Sequence, residues 1–288
     1  MWKKTKTWIK NYLLSHKRYQ FIVRDWIALT DLQPAQDMMA TMRFSQNLQP
    51  TVQTIPTAKR ILAIAPHPDD VTLGAGGTLL KAMAQGAEVL TVYLTSGRSV
   101  SAERKHEAEQ VALAFGHRIV FFDYIAEAIP IQPESMARLA AVINDFSPEV
   151  VFLPFCLDDH DDHRRASHLL LAVYRHHLLQ SSFEIWAYQV YSVLLPNVIV
   201  DITEVADRKA HIITLWKSQC QKRNWPHYIL GLNAFNQRFL PNDSKARYAE
   251  TFFVLPLKAY MDYCGCYFDP NAAQCYYTAR EYTGCYDG

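Results

Sequence analysis

Two short runs crowd together the residue types that bind metal ions and move protons. The first is His67-Pro68-Asp69-Asp70, followed by Val71-Thr72-Leu73-Gly74-Ala75-Gly76-Gly77; the second is Asp158-Asp159-His160-Asp161-Asp162-His163. Four acids and two imidazoles in six residues repel one another unless a cation or an imidazolium intervenes, so stability alone gives no reason for the crowding. In the first run Pro68 biases His67 towards extended angles while Asp69 and Asp70 enter a turn, where adjacent side chains point apart. One carboxylate can then bind a metal beside the imidazole while its neighbour faces a metal-bound water and takes its proton. In the second run His160 and His163 stand three apart and can face one site, while Asp161 or Asp162 caps a helix beginning there. Two imidazoles and one carboxylate with an open fourth position suit Zn2+, and Fe2+ or Mn2+ would also fit those donors.

The elements that must position these runs are legible around them. Arg60 to Pro66, Glu88 to Ser96, Arg118 to Tyr124 and Glu149 to Phe155 are short, nearly continuous apolar runs. Helical stretches alternate with them over Gly77 to Gln85, Ala102 to Phe115, Glu134 to Phe146 and Arg164 to Leu179. Buried strands separated by helices predict an α/β fold, a Rossmann-like three-layer sandwich around a mostly parallel sheet. Both chemical runs directly follow a predicted strand, at the carboxyl edge where open α/β sheets bind ligands. Beyond Glu184 we expect a strand pair within Ile185 to Leu194 and a helix over Glu204 to Lys217.

Half of the 288 residues are hydrophobic and a fifth are charged, the composition of a globular chain, and the net charge of +1 argues against a nucleic-acid partner. The first 24 residues hold seven Lys or Arg and no acid, with Trp2, Ile9 and Leu13 on one helical side. This basic amphipathic helix packs on the domain or contacts an anionic membrane surface, and residues 44 to 59 read as a linker. No signal sequence and no apolar run of spanning length is evident, so the expected location is the cytoplasm, with peripheral membrane contact through residues 1–24 as the alternative to packing on the domain. Gly74, Gly76 and Gly77 do not match a dinucleotide loop, and no acid ends the second strand. They are expected to bring a helix close to the sheet and to leave backbone amides open near the site. Cys264, Cys266, Cys275 and Cys285 lie in a Tyr-rich tail whose C-x-C start lacks the usual structural-zinc spacing.

The HPDD run at 67–70, the glycines at 74–77, Leu94-Thr95-Ser96-Gly97 and His160-Asp161-Asp162-His163 together resemble the PIG-L/LmbE-like zinc-dependent N-acetylglucosaminyl de-N-acetylases. Asp201-Ile202-Thr203, Lys217-Ser218-Gln219 and Tyr248-Ala249-Glu250-Thr251-Phe252 corroborate it. The resemblance runs from about Ile61 to Val254 and implies a deacetylase domain over 58–255, between an extension at 1–57 and a tail at 256–288. It implies a hydrolase that removes the acetyl group from an N-acetylated amino sugar in a small-molecule glycoconjugate. His67, Asp70 and His163 would bind zinc, Asp69 would be the general base, and His160, oriented by Asp162, would be an imidazolium steadying the oxyanion or protonating the amine. Arg104 would lie near the substrate. Arg98, Trp216, Arg223, Trp225 and Arg238 are further candidates for the substrate mouth. The chain departs from the family at Val71, where Glu is usual, which removes a carboxylate close to the ligands. The alternatives are an amidase acting on another amide, such as a thiol conjugate, and a catalytically silent sugar-binding member of the fold.

Overall fold

The structure is a computed structural model that describes residues 51–268 apart from 54, 97–100, 193, 195 and 242–243. The basic N-terminal segment, Arg98, Cys275 and Cys285 lie outside the described residues. Met39–Gly265 is one compact unit; of a second, only Cys266–Phe268 are described. Among the described residues no helix is long and apolar enough to cross a membrane.

Each apolar run becomes a buried strand. β2 (Arg60–Ala65), β3 (Glu88–Thr95), β4 (Arg118–Tyr124) and β5 (Val150–Pro154) alternate with α1 (Asp70–Ala84), α2 (Ser101–Phe115), α3 (Pro133–Phe146) and α4 (Asp161–Arg175). Ile61 to Ala65 are fully buried, as expected of a parallel strand covered on both faces. With β1 (Thr51–Gln53), β6 (Glu184–Tyr188), β7 (Val198–Asp201) and β8 (Ala249–Pro256) they form one sheet in the order β1-β7-β8-β6-β5-β2-β3-β4. Neighbours are parallel except β8, which runs antiparallel to both β6 and β7. The fold class is therefore the expected one, α/β around a mostly parallel sheet. The chain leaves β2 towards β3 and β4 on one side and later returns to place β5 on the other, so a crevice opens at the carboxyl ends of β2 and β5.

Three expectations need correction. Only Glu184 to Tyr188 of the expected strand pair is a strand; the next amides, at Val190, Tyr191 and Ser192, turn inward and donate to the Asp158 carboxylate instead of to a partner strand. The helix expected over Glu204 to Lys217 is shorter, α5 (Ala206–Ile213), followed by α6 (Lys217–Cys220). The glycines do bring α1 close to the sheet: a Cβ on Gly74 would overlap the Tyr188 ring, and one on Gly77 would come within 2.8 Å of Ile202. The amides of Gly77 and Thr78 are nevertheless not open, because the Glu250 carboxylate accepts both, at 2.8 and 2.7 Å.

Packing runs past both expected domain limits. Thr51 to Gln53, within the expected linker, add an edge strand beside β7. After β8 the chain forms α8 (Leu257–Phe268), whose Tyr260, Met261, Tyr263 and Cys264 are buried, and Tyr260 Oη accepts the Cys156 amide at 3.2 Å. α7 (Trp225–Asn236) packs beside α5 and β8.

Candidate functional site

Both chemical runs open helices at the crevice. The loop after β2 places His67 just before α1; its amide donates to Asp70 Oδ2 at 2.7 Å, and the Asp70 amide returns to the His67 carbonyl at 3.3 Å. This local closure turns the Asp70 carboxylate back onto the His67 ring, with Oδ2 3.2 Å from Nδ1. The loop after β5 makes His160 the N-cap of α4, its Nδ1 accepting the Asp162 amide at 3.1 Å. One turn on, His163 is fully buried, its Nε2 3.2 Å from the same Asp70 Oδ2.

His67 and His163 are each held from behind by a carboxylate. His67 Nε2 lies 3.0 Å from Asp162 Oδ2, which also accepts the Glu127 amide at 2.7 Å. His163 Nδ1 lies 3.0 Å from Asp158 Oδ1, and Asp158 Oδ2 accepts the amides of Val190, Tyr191 and Ser192 at 3.1 to 3.3 Å. Asp158 is the residue that reading the sequence did not single out. Glu127, the other unforeseen partner, keeps a positive φ of 66° to present its amide, a conformation that costs a non-glycine residue energy and concentrates at functional sites.

The expected role of Asp162 is thereby corrected. Its carboxylate orients His67, and it touches His160 through its backbone amide. An imidazolium on His160 would need a proton on Nδ1, the atom that accepts that amide; burial together with the neighbouring His67 and His163 also lowers its pKa. With Nδ1 accepting that amide, a neutral His160 ring would carry its proton on Nε2.

The donors fit a divalent ion. His163 Nε2 is buried without a hydrogen bond, because its approach to Asp70 Oδ2 is close but misaligned. Ligand atoms bound tetrahedrally at about 2.0–2.1 Å stand about 3.3 Å apart, near the 3.2 Å that separates Asp70 Oδ2 from His67 Nδ1 and from His163 Nε2. Imidazoles with the second nitrogen on a carboxylate are the usual metal-ligand arrangement. His160 is close as well: one nitrogen each of His67, His160 and His163 lie within 4.8 Å of one another. Its ring, however, has no carboxylate behind it and spends Nδ1 on the helix cap, so His67, Asp70 and His163 form the better set.

Asp69 is buried beside this set, Oδ1 3.4 Å from Arg104 Nη1, and burial raises its pKa against the pull of that guanidinium. Arg104 thus neighbours the spare carboxylate and is itself buried. Tyr191 stacks over His160 and His163 at ring-centre distances of 6.0 and 5.5 Å, and Trp225 meets its edge. Trp216 does not line the mouth: it is core, donating to Thr72 Oγ1 at 3.2 Å. Arg238 lies over Phe235 and Phe239, and Arg223 over Trp225. Val71 is buried in the hydrophobic core.

The electrostatics carry a pH dependence. Burial alone would lower both imidazoles, but Asp70 and Asp158 push His163 up to about 9, and Asp70 and Asp162 push His67 up to about 10. Burial would raise Asp70, yet His163 and His67 hold it well below the ordinary carboxylate range. A metal must displace protons from the two rings, so Zn2+ affinity should rise steadily between about pH 6 and pH 9. Titration calorimetry in buffers of different ionisation enthalpy should detect proton release near neutral pH. An affinity that stays flat over this range would contradict the placement of the two rings.

The α/β sheet thus brings two carboxylate-backed imidazoles and two adjacent aspartates to its switch point, a group of side chains that could hold a metal ion. Residues 62–174 match the family PIG-L, described as GlcNAc-PI de-N-acetylase. The chain is similar to diacetylchitobiose deacetylase of Thermococcus kodakarensis, 28% identical over 199 residues that cover 58% of this chain and 72% of the relative. Among solved structures, N,N'-diacetylchitobiose deacetylase from Pyrococcus horikoshii, complexed with its inhibitor MPG, is 25% identical with a TM-score of 0.59, covering 85% of this chain and 94% of the other. GalB, the 4-carboxy-2-hydroxymuconate hydratase of Pseudomonas putida, is 22% identical with a TM-score of 0.59, covering 68% of this chain and 96% of the other. That last likeness is one of fold, and a fold hosts more than one reaction.

Proposed function

We propose that the chain is a metal-dependent deacetylase that hydrolyses the N-acetyl group of an amino sugar in a small glycoconjugate, releasing acetate and the free amine. The observation that carries this reading is the convergence of His67 Nδ1 and His163 Nε2 on Asp70 Oδ2, each 3.2 Å away, with the spare carboxylate of Asp69 adjacent in sequence. The two diacetylchitobiose deacetylases named above agree with that chemistry.

His67, Asp70 and His163 would hold the ion, with Zn2+ first and Fe2+ or Mn2+ as alternatives. When bound, such an ion supplies Lewis acidity and an acidified water. Asp69 accepts the proton of the attacking water, and its burial, which raises its pKa, makes it a better base. Arg104 keeps that carboxylate oriented from 3.4 Å. His160 donates its Nε2 proton as a hydrogen bond to the oxygen that gains charge, a role its neutral tautomer can fill. Asp162 and Asp158 fix the two ligand rings. Tyr191 and Trp225 offer aromatic surface beside the imidazoles for the apolar face of a sugar.

The test is acetate release from N-acetylglucosamine, N,N'-diacetylchitobiose and N-acetylglucosaminyl phosphatidylinositol. Activity should vanish with a chelator and return with Zn2+. Activity that survives metal removal, with no stoichiometric metal in the protein, would sink the metal reading.

A further inference from the structure

Leu73 and Gly77 stand i and i+4 on α1, where a regular helix would bond the carbonyl of the first to the amide of the second. Both groups are also engaged by a buried ion pair. Gly77 and Thr78 donate their amides to the two oxygens of Glu250 at 2.8 and 2.7 Å, while Lys209 Nζ donates to the Leu73 carbonyl at 2.8 Å. Lys209 also donates to Glu250 Oε1 at 2.7 Å and to Asn233 Oδ1 at 3.0 Å. Asn233 is tied in turn to the Ala249 carbonyl at 3.2 Å. Both charges are fully buried, and the ammonium's three donors meet three acceptors.

Stability is a poor explanation for this pair, because desolvating two charges is expensive and apolar replacements of such pairs are often no less stable. Its connections point elsewhere. The Leu73 peptide that Lys209 grips by its carbonyl donates its amide to the Asp69 carbonyl at 3.0 Å. A continuous path thus runs from β8 through Glu250, Lys209 and Leu73 to the residue beside the metal-ligand set. Trp216 holds the same turn through Thr72 Oγ1.

We infer that Lys209 and Glu250 are positioning residues: bonded to the backbone of α1 at Leu73, Gly77 and Thr78, they set the axial register of its first turns and so hold Asp69 and Asp70 against His67 and His163. The inference rests on reading that cluster as a divalent metal centre. The test is the double variant Lys209→Met/Glu250→Leu, which leaves no unpaired buried charge and leaves α1 to its own backbone bonds. It should fold with an unchanged melting temperature, bind Zn2+ at least about tenfold more weakly in competition with a chromophoric chelator, and give an altered absorption spectrum with Co2+. Asn233→Ala, which keeps both charges paired, should shift the same readouts in the same direction by less, and it decides the matter if the double variant does not fold. A folded double variant with wild-type Zn2+ affinity and Co2+ spectrum overturns the positioning role, as does an indifferent Asn233→Ala when the double variant is unfolded. Wild-type protein that takes up neither ion overturns the metal-centre reading, and this inference with it.

Discussion

Asp69→Asn should cut turnover by about 10²- to 10⁴-fold, the usual contribution of a positioned general base, while stoichiometric Zn2+ stays bound. The substitution keeps size and shape, so Arg104 retains an oxygen to face, and the two imidazoles and Asp70 are untouched. What disappears is the capacity to accept a proton. Initial rates on whichever acetylated sugar the wild type cleaves, read beside metal content, separate this outcome from a binding defect. A variant that turns over at the wild-type rate would transfer the role of base to another group.

The second large effect is expected at Asp158→Asn. The three amides of Val190, Tyr191 and Ser192 fix one oxygen of this side chain, so the new amide nitrogen must face His163 Nδ1 and donate to it. The ring then carries its proton on Nε2, the atom that faces Asp70. A carboxylate-to-amide change that enforces the wrong tautomer is severe in catalytic triads, and loss of such a partner typically weakens metal affinity by about 10- to 100-fold. Competition with a chelator gives the affinity, and a melting curve should drop less than for Asp158→Ala, because the three amides on Oδ2 keep their acceptor while only the His160 amide loses its own. Asp158→Ala should instead lower stability by about 3–5 kcal/mol, since it strips five partners, the His163 ring and the amides of His160, Val190, Tyr191 and Ser192, of a buried acceptor. Equal Zn2+ affinity in the Asn variant and wild type would remove His163 from the ligand set.

The parts of the fold legible in the sequence were those whose burial is uniform. β2, β3, β4 and β5 are apolar nearly end to end because helices cover both of their faces, and the intervening helices follow. β8 lies between β6 and β7, yet in the sequence Tyr248 to Phe252 stands out only through its resemblance to a family motif. α7 carries a clear start signal, Asn224 capping His227 and Pro226 in the first turn, but Trp225 to Asn236 is apolar on too many sides to show a helical stripe. At the site, types and spacing located both runs and the shared sheet edge. They did not say which of six neighbouring acids turn inward, because in an acid-rich loop only the surrounding backbone decides. Asp158 is chosen by three amides more than thirty residues away, and Asp162 by a ring at the other end of the crevice.

The two halves of this cluster are far apart along the chain, His67 after β2 and His163 after β5, and they meet only because those strands pair directly. During synthesis the first half therefore waits through almost a hundred residues of translation with nothing to face. Competence arrives at one moment, when β5 docks against β2, so any nascent fragment that stops short of α4 is chemically inert however well its earlier strands have assembled.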